Sequence, residues 1–208
     1  MSPGARALQC LRSARSSLSV VLAVVLAWSG VARASDHYVI DPLHSTPVFE
    51  FMHLGVTTQS GRFDRVRGSL DIDLARRAGS VNYEVDTASL NMGVGTETQD
   101  SAGYALFDVA HFPLIRFESA HLSFDPDGKV TSAVGQLSLL GVSKSVTLSI
   151  EHFSCGLNAV SGRRTCAGDV STLLRRSDFG MVKYLPYISD EIHIRIPVEA
   201  YQDLQAKP

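Results

Sequence analysis

The chain is poor in cysteine and tryptophan, with three and one in 208 residues, and only 19% of it is charged. Beyond Trp28 no apolar run approaches the ~20 residues that a membrane-crossing helix needs. There is no low-complexity tract, and no Pro/Gly/Ser linker long enough to separate a pair of domains. Chemistry-bearing motifs are missing too. No G-x-S-x-G marks a nucleophile, and no H-E-x-x-H or H-x-H spacing marks a catalytic metal. "GVGTET" has only two of the glycines of a dinucleotide loop, and the turn from Asp125 to Gly128 lacks the downstream ligands of a calcium loop. These absences point away from a helical membrane protein, a nucleotide enzyme and a local hydrolase motif.

What is present begins with Arg6, Arg12 and Arg15, an uncharged apolar run from Leu18 to Trp28, and then Ala32-Arg33-Ala34. Basic residues, a short apolar core and a small-x-small site are the pattern of a cleavable secretory leader, so residues 1–34 are read as a signal peptide and 35–208 as one domain. Four of the 19 basic residues and none of the 21 acidic ones fall in that leader. The remainder is net acidic, which argues against nucleic acid or an anionic membrane surface as an electrostatic partner. Cys10 would leave with the leader. Cys155 and Cys166 bracket Gly156, Asn158, Ser161 and Gly162, turn formers of a hairpin tip, and in an oxidising compartment they are expected to pair as a disulfide.

Period-two alternation dominates the rest. Leu70, Ile72 and Leu74 oppose Asp71 and Asp73; Val81, Tyr83 and Val85 oppose Asn82, Glu84 and Asp86; Ile192, Ile194, Ile196 and Val198 share one face. About eight such segments, separated by turn signals, predict an all-β fold: an antiparallel eight-stranded barrel, the size at which a closed sheet can hold one small ligand. A two-sheet sandwich shares the alternation. One stretch, "GTETQDSAGYALFDVAHFP", breaks the period and reads as a short helical segment capping a barrel mouth.

"HSTPVFEFMHLG" places Phe49, Phe51 and His53 on one strand face and Val48, Glu50, Met52 and Leu54 on the other. Either the aromatics are ordinary core or they line a space. His44 and His53, nine residues apart on an extended chain, cannot share one ion. In "LLRRSDFGM", Arg175 and Arg176 could anchor an anionic or carbonyl head group, or pair with Asp178 where the strand ends.

Four ordered blocks, "YVIDPLHSTPVFEFMHLGVTTQSGRFDRVRGSLDID", "LFDVAHFPLIRFES", "VGQLSLLGVSKSVTL" and "RRSDFGMVKYLPYISDEIHIRI", resemble the YceI-like family of exported lipid-binding proteins. The resemblance runs from about Tyr38 to Tyr201. It implies an extended lipocalin-like barrel holding a polyisoprenoid chain, as in polyprenyl pyrophosphates or ubiquinone-type quinones. His44, Ser45, His53, Gly61 and Phe63 match its opening block, Phe107, Asp108, Phe112 and Pro113 its middle one, and Arg175, Ser177, Asp178, Phe179 and Gly180 its last. Two positions depart from the pattern. Gln99-Asp100 stands where the family usually has Arg-Asp, and Leu140 where it usually has histidine, which favours a neutral head group or a bare chain.

The expectation is a non-enzymatic carrier or store of an isoprenoid lipid in the bacterial periplasm, with no cofactor and no metal. Phe49, Phe51, Phe63, Phe107, Phe112, Phe117 and Phe179 are its candidate ligand wall, and His53 and Arg175 its polar contacts. A transient membrane contact and a homodimer are compatible with this reading. The rival is an enzyme or redox accessory protein acting on such a lipid with a haem or metal partner.

Overall fold

The computed structural model of the chain describes residues 35–93 and 105–204. The expected leader with Cys10, and the Gln99-Asp100 pair, lie outside the described residues. Eleven strands follow one another: β1 Asp36–Ile40, β2 Val48–His53, β3 Thr57–Phe63, β4 Val66–Asp73, β5 Ala78–Asp86, β6 Leu90–Asn91, β7 Leu114–Phe124, β8 Val130–Leu139, β9 Val142–Leu157, β10 Arg164–Arg175 and β11 Ile188–Gln202. Eight of them, in the order β1-β4-β5-β7-β8-β9-β10-β11, form a ring that the β1–β11 pairing closes. The barrel is antiparallel throughout, as the alternation predicts. Strands β2, β3 and β6 continue the sheet from β11 as a side extension.

The segment from Tyr38 to Leu54 forms two strands, not one. Pro42 and Pro47 have no N–H to give a ladder, so pairing lapses between them. β11 spans the lapse: Ala200 to Gln202 pair with β1, while Ile192 to Arg195 pair with β2. Glu199, opposite the gap, would be left with unpaired backbone groups. Asp41 donates its N–H to the Glu199 carbonyl at 2.8 Å. The fully buried Ser45 hydroxyl donates to the same carbonyl at 3.1 Å and accepts the Glu199 N–H at 3.0 Å. One serine thus carries the ladder across a break that the prolines impose.

Two ends of the barrel follow from the register. The disulfide end carries the β4–β5, β7–β8 and β9–β10 hairpins. There Cys155 and Cys166 are opposed residues of β9 and β10, joined by a bond of 2.04 Å. The hairpin tip beyond them is built by Asn158, whose side chain accepts the N–H groups of Val160 and Ser161. A loop of this length, cross-linked, stabilises the fold by roughly 2 to 3 kcal/mol in the chain-entropy picture.

The arginine end carries the β2–β3 and β8–β9 hairpins and the β10–β11 loop. β10 runs into a 3-10 turn, Arg176–Phe179, that stops at Gly180 in the left-handed conformation, φ 79°. The helical segment expected between Gly95 and Pro113 shows one helical turn at residues 105–107, the stretch before it lying outside the described residues.

Outward positions carry the charge. Arg67 and Arg116 flank Glu84 across β4, β5 and β7, and Arg195 meets Glu50 across β11 and β2. Exposed pairs of this kind contribute little each. Their main effect is to keep the outer face soluble while the inner face is apolar.

Candidate functional site

The inward residues do not meet across the barrel. They leave a cavity with about 170 Å³ reachable by the centre of a water molecule, more than ten times the ~10–15 Å³ that one water requires. Its wall draws on every strand of the ring: Ile40 from β1, Leu70 from β4, Tyr83 from β5, Phe117 from β7, Leu137 from β8, Ile150 from β9, Val170 from β10 and Ile196 from β11. Among the described residues no charged side chain and no histidine lines it. Water inside would find almost no hydrogen-bond partner, so apolar matter is the occupant such a space favours.

The two polar groups on the wall are already engaged. The Tyr83 hydroxyl donates to the Ser45 carbonyl at 2.5 Å, and burial pushes its pKa far above the ordinary 10. The Thr172 hydroxyl donates to the Thr147 carbonyl at 3.0 Å. Among the described residues the wall therefore offers an occupant neither a general base nor a free donor.

Glycines shape the aromatic region of the wall. Phe49 lies opposite Gly61, and a Cβ at Gly61 would stand 2.4 Å from Phe49 Cζ. Phe117 likewise lies across Gly135, where a Cβ would come within 2.7 Å of its ring. Each ring lies over a glycine because a side chain there would push it into the cavity.

Of the residues expected in the wall, Phe49, Phe63 and Phe117 line the cavity. Phe51 stacks on Phe49 with ring centres 6.3 Å apart, and Phe107 meets Phe63 edge-on at 5.2 Å. These two back the wall without lining it. Phe112 packs over Gly141 at the β8–β9 hairpin, and Phe179 is buried in the 3-10 turn after β10, both away from the lining. His53 ends β2 opposite Ile188, and Arg175 is exposed with its guanidinium 3.9 Å from Glu191, so neither reaches the cavity. The reason is the pleat: Leu174 points inward, and the neighbour Arg175 must point out.

Arg176, not Arg175, is the buried arginine, 4% exposed. Its guanidinium donates to four backbone carbonyls, those of Ser189 (2.9 Å), Met181 (2.7 Å), Lys183 (2.8 Å) and Ile188 (2.9 Å). Burial lowers its pKa, and the Asp190 charge opposes that shift. Asp190 accepts both the N–H and the hydroxyl of Ser177. The pairing with Asp178 that the sequence allowed is replaced by this clamp on the β10–β11 loop.

The aliphatic wall, Ile40, Leu122 and Leu148 among it, was not named as a ligand wall from the sequence, nor was Phe153, although Val81 and Ile194 were read as one face of their strands. Alternation marks most of these as inward. It does not say whether inward side chains touch or leave room.

On the outer face, Asp41, His44 and Glu199 bring one ligand atom each within 4.8 Å of one another, a geometry that could hold an ion. All three have protein partners: His44 Nδ1 lies 2.7 Å from Asp41 Oδ2, and the Tyr201 hydroxyl donates to Glu199. The hydrogen bond to Asp41 raises the pKa of His44. Burial pushes the Asp41 pKa up, but hydrogen bonds from His44 and the Leu43 N–H outweigh it and hold the carboxyl below its ordinary value. The network fixes the β1–β2 connection.

The described residues thus form a closed antiparallel eight-stranded barrel around an apolar interior. Comparison with known proteins narrows this. The YceI-like domain model matches residues 38–200, and the chain belongs to that family. A UPF0312 protein of Vibrio vulnificus is 31% identical over 186 residues, covering 86% of this chain and 96% of the relative. A UPF0312 protein of Enterobacter is 31% identical over 189 residues, covering 89% and 96%. Among solved structures, Burkholderia cenocepacia BcnA superposes with a TM-score of 0.61 at 22% identity, covering 77% of this chain and 98% of that one. A polyisoprenoid binding domain from Saccharophagus degradans gives 0.59 at 15% identity, covering 82% and 100%. At these identities the structural likeness speaks for the fold.

Proposed function

We propose that the protein binds and carries, or stores, an isoprenoid lipid without transforming it, in the periplasm. The observation that carries this reading is the wall itself: apolar on every strand, continuous along the barrel, and free of charge among the described residues. Each CH₂ moved from water into such a space is worth about 0.8 kcal/mol, so a prenyl tail needs no specific contact to be held. The Saccharophagus neighbour, described as polyisoprenoid binding, supports the same class of ligand. The Cys155–Cys166 bond accords with an exported chain.

The wall also limits what enters. A pyrophosphate would lose its hydration against Leu, Ile and Phe with no cation in return, so only the tail is internal and any polar head stays at a barrel end. This favours a quinone or a bare chain over a charged lipid inside. Native mass spectrometry of the gently purified protein, with quinone uptake at micromolar concentration, tests the proposal. A bound prenyl species, or uptake that Ala133→Phe in the wall abolishes, is the expected result. Protein that carries no lipid and takes up no quinone would overturn it. Visible absorbance from a bound cofactor would favour the redox rival.

A further inference from the structure

We propose that the arginine end of the barrel docks on a phospholipid bilayer, with the β2–β3 hairpin and the β10–β11 loop entering the interface. The inference rests on the carrier reading for its purpose, since a tail held inside must come from and return to a membrane. Its evidence is separate.

The two segments touch: Leu54 donates its N–H to the Tyr187 carbonyl at 2.6 Å, and His53 lies opposite Ile188. Together they expose Leu54, Val56 (80%), Val182, Tyr184 and Tyr187 (64%). Lys183 lies among them, its Nζ 4.9 Å from the Tyr184 ring centre. Apolar tips, tyrosines and a lysine are the side chains that settle where acyl chains meet head groups.

Backbone geometry adds a second argument. Leu54 and Tyr184 have φ of 55° and 67°, in the left-handed region where glycine or asparagine fits at less cost. Both side chains point to solvent, so their apolar character does nothing for packing within the chain. A tight hairpin with leucine at such a position trades turn stability for an exposed apolar tip.

Charge selects which end can be buried. The chain is net acidic, so an anionic bilayer offers it no overall attraction. Residues 51–60 and 180–189 contain no acid, and Lys183 is their formal charge. The hairpins of the opposite end carry charges of both signs, Asp73, Asp125 and Asp127 with Arg76, Arg77, Lys129, Arg163 and Arg164. These lose hydration if buried, which leaves the acid-free rim as the less costly end to place in an interface. The rim also continues into the site, because Phe51 stacks on the cavity residue Phe49. With a single lysine, attachment is apolar and changes little when salt is raised.

Sedimentation with extruded vesicles of phosphatidylethanolamine and phosphatidylglycerol, at about 1 mM lipid, tests this on the full mature chain. Three proteins are compared: wild type, Val56→Asp combined with Tyr187→Asp, and Val160→Asp on the hairpin tip of the opposite end, which is 98% exposed. Wild type and Val160→Asp should pellet with vesicles, and the double variant should lose roughly tenfold or more. All three should melt alike and retain the same internal lipid by native mass spectrometry. Wild type that stays in the supernatant overturns the docking inference, as does equal loss in Val160→Asp. So does rim-dependent dimerisation without vesicle binding, seen by ultracentrifugation. Loss of internal lipid from all three proteins with vesicle binding intact would instead count against the carrier reading alone.

Discussion

Ser45 and Gly61 show how single atoms set the barrel's form. Ser45 satisfies the Glu199 N–H where no strand lies opposite. In Ser45→Ala that buried donor is orphaned, and urea unfolding should show a loss of about 1 to 3 kcal/mol, the cost of an unsatisfied buried group. Gly61→Ala acts differently. Its Cβ would stand 2.4 Å from Phe49 Cζ and 2.7 Å from Met92 Sδ, so the ring must shift, and the cavity it lines is the open space beside it. Reduced lipid content by native mass spectrometry, with a native-like circular dichroism spectrum, is the expected outcome. Unchanged lipid content would show that the ring escapes elsewhere.

Strands and loops form the next scale, and the β10–β11 loop is the element most dependent on one residue. Four carbonyls converge on Arg176. Arg176→Met keeps the volume and removes every donor, so the loop should open, with faster proteolysis between residues 181 and 188 and a stability loss of about 3 kcal/mol. Cleavage no faster than in wild type would mean that Asp190 and Ser177 hold the loop unaided. The sequence made the strands legible because a half-buried strand repeats every two residues, as Leu70 and Ile72 against Asp71 and Asp73 in β4 show. It did not separate Arg175 from Arg176, since which of two adjacent arginines turns inward depends on where the strand ends. Nor did it show the break at Pro42 and Pro47, where local alternation hides a handover that only the partner strand reveals.

For the molecule as a whole, stability should peak in mildly acid solution. Asp41, Asp64, Glu84 and Asp190 all have carboxyls held below their ordinary values of 3.8 for Asp and 4.5 for Glu. Their contribution is present above those values and is lost as pH falls through the lowered ones. His44 is raised from 6.5, so its contribution is complete below that value and is lost as pH climbs through the raised one. The melting temperature should therefore be highest between about pH 4.5 and 6.5. His44→Asn should flatten the alkaline limb and remove Asp41's share of the acid limb, leaving the part that Asp64, Glu84 and Asp190 carry; an unchanged alkaline limb would assign it to another group. The cavity was the feature least visible in the sequence. Phe49, Phe63 and Phe117 were legible as inward aromatics, but the room between them is a property of the closed ring and of glycines opposite their rings.

The ring closes only through the last strand: β11 pairs with β10 on one side and with β2 and then β1 on the other. A nascent chain that has not yet delivered Ile188–Gln202 is an open sheet with two bare edges and an uncovered greasy face. Such a chain can neither enclose a ligand nor shield that face until it is released whole, so on the proposed reading loading follows completion of the polypeptide.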